Sequence, residues 1–75
     1  MSLLFWKQFE SGQNIYRFEN GYGASVVPEA DPDQYELAVL DSEDNITYKT
    51  PITGDVIRYM SEQEVQETLK QISEL

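Results

Sequence analysis

Apolar residues flank a polar one at positions 16–18 and again at positions 24–26, which predicts two neighbouring strands over residues 15–18 and 23–27. The turn-forming pair Asn20-Gly21 lies between the two segments. Because this pair favours the tight turns that join antiparallel strands, we expect a hairpin here.

The length of the hairpin loop decides which side chains share a face. A two-residue loop would pair Phe18 with Gly23, which leaves the aromatic ring little to contact. A three-residue loop, with Gly21 in the left-handed conformation of a bulge, pairs Phe18 with Tyr22 instead. We predict the second register because it buries one apolar face. That face carries Tyr16, Phe18, Tyr22, Ala24 and Val26.

Residues 35–40 form the next predicted strand. A four-residue turn over residues 42–45, with Asn45 left-handed, would return the chain as a fourth strand. Further on, Thr53 is predicted to cap a short turn over residues 55–57. The core face of the third and fourth strands would carry Tyr35, Leu37, Val39, Ile46 and Tyr48.

The sequence before the last apolar segment predicts the start of a helix. Ser61 and Glu64 have the spacing of a capping box, in which each side chain accepts the backbone N–H of the other. Met60 and Val65 stand where a hydrophobic staple belongs. The apolar stripe of the helix, at a spacing of three to four residues, is predicted to cover one face of the sheet and comprises Val65, Leu69, Ile72 and Leu75.

These elements predict one small α+β domain over residues 1–75. Its fold is an antiparallel β meander of about three to four strands packed against one C-terminal α-helix.

The pattern of residues 1–13 fits either a short N-terminal segment or an extra strand. Phe5 and Phe9 are four residues apart, which suits a helical turn, whereas Leu4 and Trp6 alternate as in a strand. Short apolar runs of this kind do not distinguish the two.

Composition narrows the possible functions. The 75 residues contain 14 acidic and five basic side chains, a net charge of −9. Direct binding to nucleic acid or to an anionic membrane is therefore not expected. The chain has no Cys and no His, which excludes a disulfide, a metal thiolate and a Ser-His-Asp triad. With no apolar run long enough for a membrane helix, we expect a cytoplasmic protein.

No motif indicates a catalytic, cofactor, metal or small-molecule site, and we expect no enzyme. Asp41, Glu43 and Asn45 match the start of a calcium loop, but the required Gly and bidentate Glu are replaced by Ile46 and Ile52. The glycines around Tyr22 precede a strand, so no helix N-terminus is available there to hold a phosphate.

Two surfaces are candidates for binding a protein partner or for forming a homo-oligomer. The first comprises Leu4, Phe5 and Trp6, which would either cover the sheet face away from the helix or remain exposed as a contact patch. If they are exposed, Trp6 is a candidate hot spot, because Trp is enriched at such sites. The alternative is an acidic decoy that occupies the nucleic-acid site of a host protein. Its charges would come from Glu29, Asp31, Asp33, Asp41, Glu43 and Asp44.

Three segments, residues 18–27, 35–40 and 50–57, resemble small bacteriophage-encoded proteins of no assigned function. The resemblance covers roughly residues 16–65 and carries no functional residues. It implies an accessory protein that is made in the cytoplasm of an infected bacterium.

Overall fold

The structure, a computed structural model, describes residues 2–75. Within these residues, five strands form one antiparallel sheet in the sequential order β1-β2-β3-β4-β5, and one helix follows. The α+β class and the C-terminal helix are confirmed, but the prediction of three to four strands was too low. The elements are β1 (Leu3–Gln8), β2 (Asn14–Phe18), β3 (Gly23–Pro28), β4 (Tyr35–Leu40), β5 (Ile57–Met60) and α1 (Glu62–Ser73).

The β2–β3 hairpin has the predicted register. Phe18 N–H donates to Tyr22 O (2.8 Å), and Gly21 adopts a φ of 91°, which closes a three-residue loop with a bulge. Tyr16 pairs with Ala24. Gly23 lets β3 approach the Tyr16 carbonyl of β2 closely, since a Cβ at position 23 would lie 2.4 Å from Tyr16 O.

Residues 1–13 contain a strand, so the strand alternative is correct for the described part of this segment. β1 pairs with β2 through a second hairpin of the same type, in which Phe9 N–H donates to Gln13 O (2.8 Å). Gly12 has a φ of 93° and takes the left-handed position. The helical spacing of Phe5 and Phe9 is therefore incidental.

The predicted fourth strand was wrong. The turn after β4 has three residues instead of four, with Asp44 left-handed (φ 66°) in place of Asn45. The shorter turn pairs Ile46 with Leu40 in a single bridge. Because the register moves by one residue, Ile46 changes face, and Tyr48 is 51% exposed and lies outside the core.

β5 supplies the strand that the sequence analysis missed. Thr53 Oγ1 accepts Asp55 N–H (3.1 Å) as predicted, but Ile57 begins a strand and does not complete a turn. Leu37 pairs with Ile57 and Tyr35 with Met60, so β5 has one more residue than β4 over this stretch and forms a bulge.

The helix begins as predicted. Ser61 Oγ accepts Glu64 N–H (3.1 Å), and Ser61 N–H donates to Glu64 Oε1 (3.0 Å), which completes the capping box. Hydrogen bonding to Ser61, chiefly to its backbone N–H, lowers the pKa of the Glu64 carboxyl. Met60 and Val65 are both buried, as the predicted staple requires.

One face of the sheet packs against α1, mainly over β3, β4 and β5. Leu75 is exposed and does not extend the helical stripe. The core between helix and sheet comprises Phe18, Ala24, Val26, Leu37, Val39, Met60, Val65, Leu69 and Ile72, with Tyr16, Tyr22 and Tyr35 packed against it. Across residues 2–75, no helix has the length and apolar character that a membrane crossing needs.

The β2–β3 turn also holds the end of the helix. Asn20 Nδ2 donates to Ile72 O (2.8 Å), while Asn20 Oδ1 accepts Tyr22 N–H (3.0 Å). One side chain therefore shapes the turn and satisfies a carbonyl at the helix C-terminus.

Candidate functional site

β1 is exposed along its whole length. All six residues are solvent-exposed, and the strand lies at the end of the sheet, so within residues 2–75 one side of its backbone has no neighbouring strand. The predicted interface residues are 70% (Leu4), 49% (Phe5) and 52% (Trp6) exposed. Since α1 packs mainly over the other end of the sheet, β1 is left uncovered on both faces.

The three predicted interface residues do not form one flat patch. Trp6 pairs with Tyr16 and lies on the side of the sheet that carries α1. Phe5 pairs with Arg17 and points to the opposite side, which we call the open face. Leu4 is the extra residue of a bulge between Leu3 and Phe5. The exposed apolar surface therefore wraps around the strand.

Contacts with β2 fix the orientation of Trp6. Its Nε1–H donates to Asn14 Oδ1 (3.1 Å), and its ring lies beside Tyr16. Tyr16 is half-buried, and this burial raises the pKa of its hydroxyl above the ordinary 10.0. Trp6 is thus held in place without being part of the core, as a pre-organised binding residue would be.

Phe9 extends the exposed apolar surface and was missed by the sequence analysis. It is exposed and follows Phe5 and Lys7 at a period of two, the alternation by which it could have been found. The Lys7 Nζ atom lies 5.0 Å from the centre of the Phe9 ring, within range of a cation–π contact.

The open face carries a shallow groove of about 580 Å³. Its floor is the β2–β3–β4 part of the sheet, and Ile46 and Phe5 stand at its rims. Gln13 Nε2 donates to Ser25 Oγ (2.9 Å) within it. The groove is lined by Phe5, Gln13, Ile15, Arg17, Ser25, Leu40, Asp44 and Ile46.

Arg17 supplies the positive charge in this groove, beside Asp44. Its Nη2 donates to Gly21 O (3.0 Å), and its Nη1 lies 3.0 Å from Asp44 Oδ1. The Nη1 atom is buried and makes no hydrogen bond within residues 2–75, so its contact with Asp44 is an ion pair. The pair holds the left-handed Asp44 turn against the sheet.

The acidic residues proposed for a decoy lie in two separate loops. One loop joins β3 to β4 and the other follows β4, so they are about 17 Å apart, the length of a six-residue strand. The first loop carries Glu29, Asp31 and Asp33, and the second carries Asp41, Glu43 and Asp44.

Most of these carboxylates make contacts within the fold. Asp31 Oδ1 accepts Asp33 N–H (2.9 Å), and Asp41 Oδ1 accepts the N–H groups of Glu43 (2.9 Å) and Asn45 (3.0 Å). The Glu29 side chain is largely buried and pairs with Arg58 (3.0 Å). Asp44 pairs with Arg17 as described.

Among residues 2–75, no group of three or more acidic side chains is placed to hold a metal ion. No protein-family model, curated protein or solved structure matches the chain.

Proposed function

We propose that this chain is a non-enzymatic accessory protein that acts by binding a protein through β1. The observation that supports this most directly is the exposure of a whole strand, apolar over Leu3 to Trp6, at the edge of the sheet. An edge strand offers unpaired N–H and C=O groups, and an added strand can bond to them while its side chains contact both faces. The bacteriophage context of this proposal rests on the sequence resemblance alone.

Local charge also favours β1 as the contact. The chain has a net charge of −9, yet β1 contains one Lys and no acidic residue. Burying this strand therefore requires no carboxylate to lose its hydration. Trp6 and Phe5 supply large apolar area, and Trp in particular is frequent at binding hot spots.

The test is affinity capture of the tagged full chain from a bacterial lysate, with elution through a salt gradient. We expect the partner to remain bound at high salt, because apolar contacts are not screened. The Trp6→Ala and Phe5→Ser proteins should each capture less of it than the wild type does. Tyr48→Ala is the matched control, since Tyr48 is about as exposed as Trp6 but lies away from β1.

The stability of the Trp6→Ala protein must be measured beside its binding. We expect a loss of about 1 kcal/mol or less, the usual contribution of a cross-strand pair, because the exposed Trp6 side chain contacts Tyr16 and Asn14 of β2 and is not part of the core. A folded Trp6→Ala protein that captures the partner as well as the wild type would refute the proposal.

The acidic decoy remains the alternative proposal, and the same experiment separates it. Asp33 and Glu43 are its best candidate residues, since both are exposed and neither forms a salt bridge with another part of residues 2–75. Under the decoy proposal, the captured protein binds nucleic acid and is released at modest salt. Trp6→Ala should not change its capture, whereas the double substitution Asp33→Asn with Glu43→Gln should prevent it.

A further inference from the structure

The two edges of the sheet differ in how they meet solvent. At β5, Arg58 and Tyr59 form the bulge, Tyr59 is left-handed (φ 57°), and Arg58 pairs with Glu29 and Glu36. An irregular, charged edge resists the addition of another strand. From Phe5 to Gln8, β1 pairs with β2 without interruption and contains neither Pro nor an acidic residue. Of the two edges, β1 is therefore the one suited to strand addition.

The hydrogen-bond pattern shows which β1 groups face outward. Phe9 N–H points toward β2, where it donates to Gln13 O. Bonding alternates along an antiparallel pair, so Lys7 also bonds to its β2 partner Ile15. It follows that the backbone N–H and C=O groups of Trp6 and Gln8 point away from β2, toward the free edge.

We propose that the strand added to β1 is the β1 of a second copy of this chain, antiparallel and related by a two-fold axis. This rests on the proposed function, which makes β1 the binding strand. An antiparallel contact between identical strands is self-complementary and closes at two subunits. It also joins two chains of charge −9 along the strand where neither carries a carboxylate.

Symmetry and charge select the register. With a two-fold axis perpendicular to the sheet, the helix-bearing faces of both copies lie on the same side of the joined sheet. The axis then passes between one β1 residue and the same residue of the second copy, so that residue pairs with itself. Centring on Lys7 would place two ammonium groups directly opposite each other, which is unfavourable. Centring on Trp6 pairs two outward-facing backbones and places Lys7 opposite Phe5 of the second copy. Of these two registers, the structure therefore favours the one centred on Trp6.

Sedimentation equilibrium of the full chain, from micromolar to millimolar concentration, tests the dimer. Gln8→Pro removes an outward N–H without removing a bond to β2, so it should weaken dimerisation at least tenfold and leave the fold of the monomer intact. Gln8→Ala keeps the N–H and should dimerise as the wild type does. A Gln8→Pro protein that is folded and dimerises normally would overturn the proposal.

Cross-linking tests the register, and the absence of native Cys makes it specific. In a hydrogen-bonded antiparallel pair the Cα atoms are about 5.5 Å apart, a separation that a disulfide can span. Trp6→Cys should therefore oxidise to a covalent dimer, whereas Lys7→Cys should not. Efficient cross-linking of Lys7→Cys alone would show that the register is wrong.

The two proposals can fail separately. If the wild-type chain stays monomeric at millimolar concentration but captures another protein in a Trp6-dependent manner, the dimer proposal fails. The proposal that β1 is a binding strand then still stands. A monomer that captures nothing through β1 overturns both.

Discussion

Asn20 offers a sharp test of how the hairpin and the helix stabilise each other. The residue is exposed, and a substitution at an exposed position usually changes stability by no more than about 0.5 kcal/mol. In the structure, its amide bonds to Ile72 O (2.8 Å), more weakly to Leu75 O (3.4 Å), and to Tyr22 N–H (3.0 Å). Asn20→Ala removes all three contacts.

The expected loss follows from counting these bonds. A net value of about 1 kcal/mol for each of the two short bonds gives about 2 kcal/mol. Leu75 N–H also donates to Ile72 O (3.2 Å), so this oxygen keeps one partner and the loss falls to about 1.5 kcal/mol. For a domain of this size the melting temperature should fall by roughly 6–12 °C.

Two variants make the Asn20 test specific. Asn45→Ala changes the same residue type in another turn, where the side chain makes no hydrogen bond with the rest of residues 2–75, and should change stability little. Asn20→Asp keeps the acceptor for Tyr22 but places a carboxylate near the negative end of the helix. It should destabilise more than Asn20→Ala at neutral pH and recover in acid, as the carboxyl group is protonated.

Thermal unfolding followed by circular dichroism measures all three proteins. Equal melting temperatures for wild type, Asn20→Ala and Asn45→Ala would refute the claim that this amide joins the turn to the helix. A loss confined to Asn20→Asp would show that charge at this site matters and that the hydrogen bonds do not.

Two further predictions concern the core and the cap. Leu69 is fully buried, so Leu69→Ala should lower the free energy of unfolding by about 3 kcal/mol, whereas Leu4→Ala should lower it by about 0.5 kcal/mol or less. Urea unfolding measures both, and equal losses would contradict this burial pattern. The lowered pKa of Glu64 stabilises the fold above its ordinary pKa of 4.5, and this advantage is lost as the pH falls through the folded-state pKa. The stability difference between wild type and Glu64→Gln should therefore shrink below pH 4.5, and a difference that is constant with pH would argue against the cap.

Local features that the sequence encodes within a few residues were predicted well. The register of β2 with β3 follows from Gly21, because a three-residue loop with a left-handed third residue aligns the apolar faces. The start of α1 follows from Ser61 and Glu64, which need only each other to form the capping box. In both cases the interacting groups are close in sequence, so few alternatives compete.

The errors arose where several local solutions were nearly equivalent. Asp44 and Asn45 can both adopt the left-handed conformation, and choosing the wrong one shifted the register and turned Ile46 to the other face. β5 contains a left-handed Tyr59, which no local preference predicts. β5 is a strand because it pairs with β4, and this pairing places Ile57 and Met60 on the face of the sheet that packs against α1.

The sequence by itself determined which residues are apolar enough to form a core, where the helix starts and that β1 carries almost no charge. Only the tertiary structure decided which apolar residues remain exposed. α1 packs mainly over β3, β4 and β5. Phe5 and Trp6 are therefore left at an open edge, on opposite faces of a strand, because burial depends on where the helix lies and not on the side chains themselves.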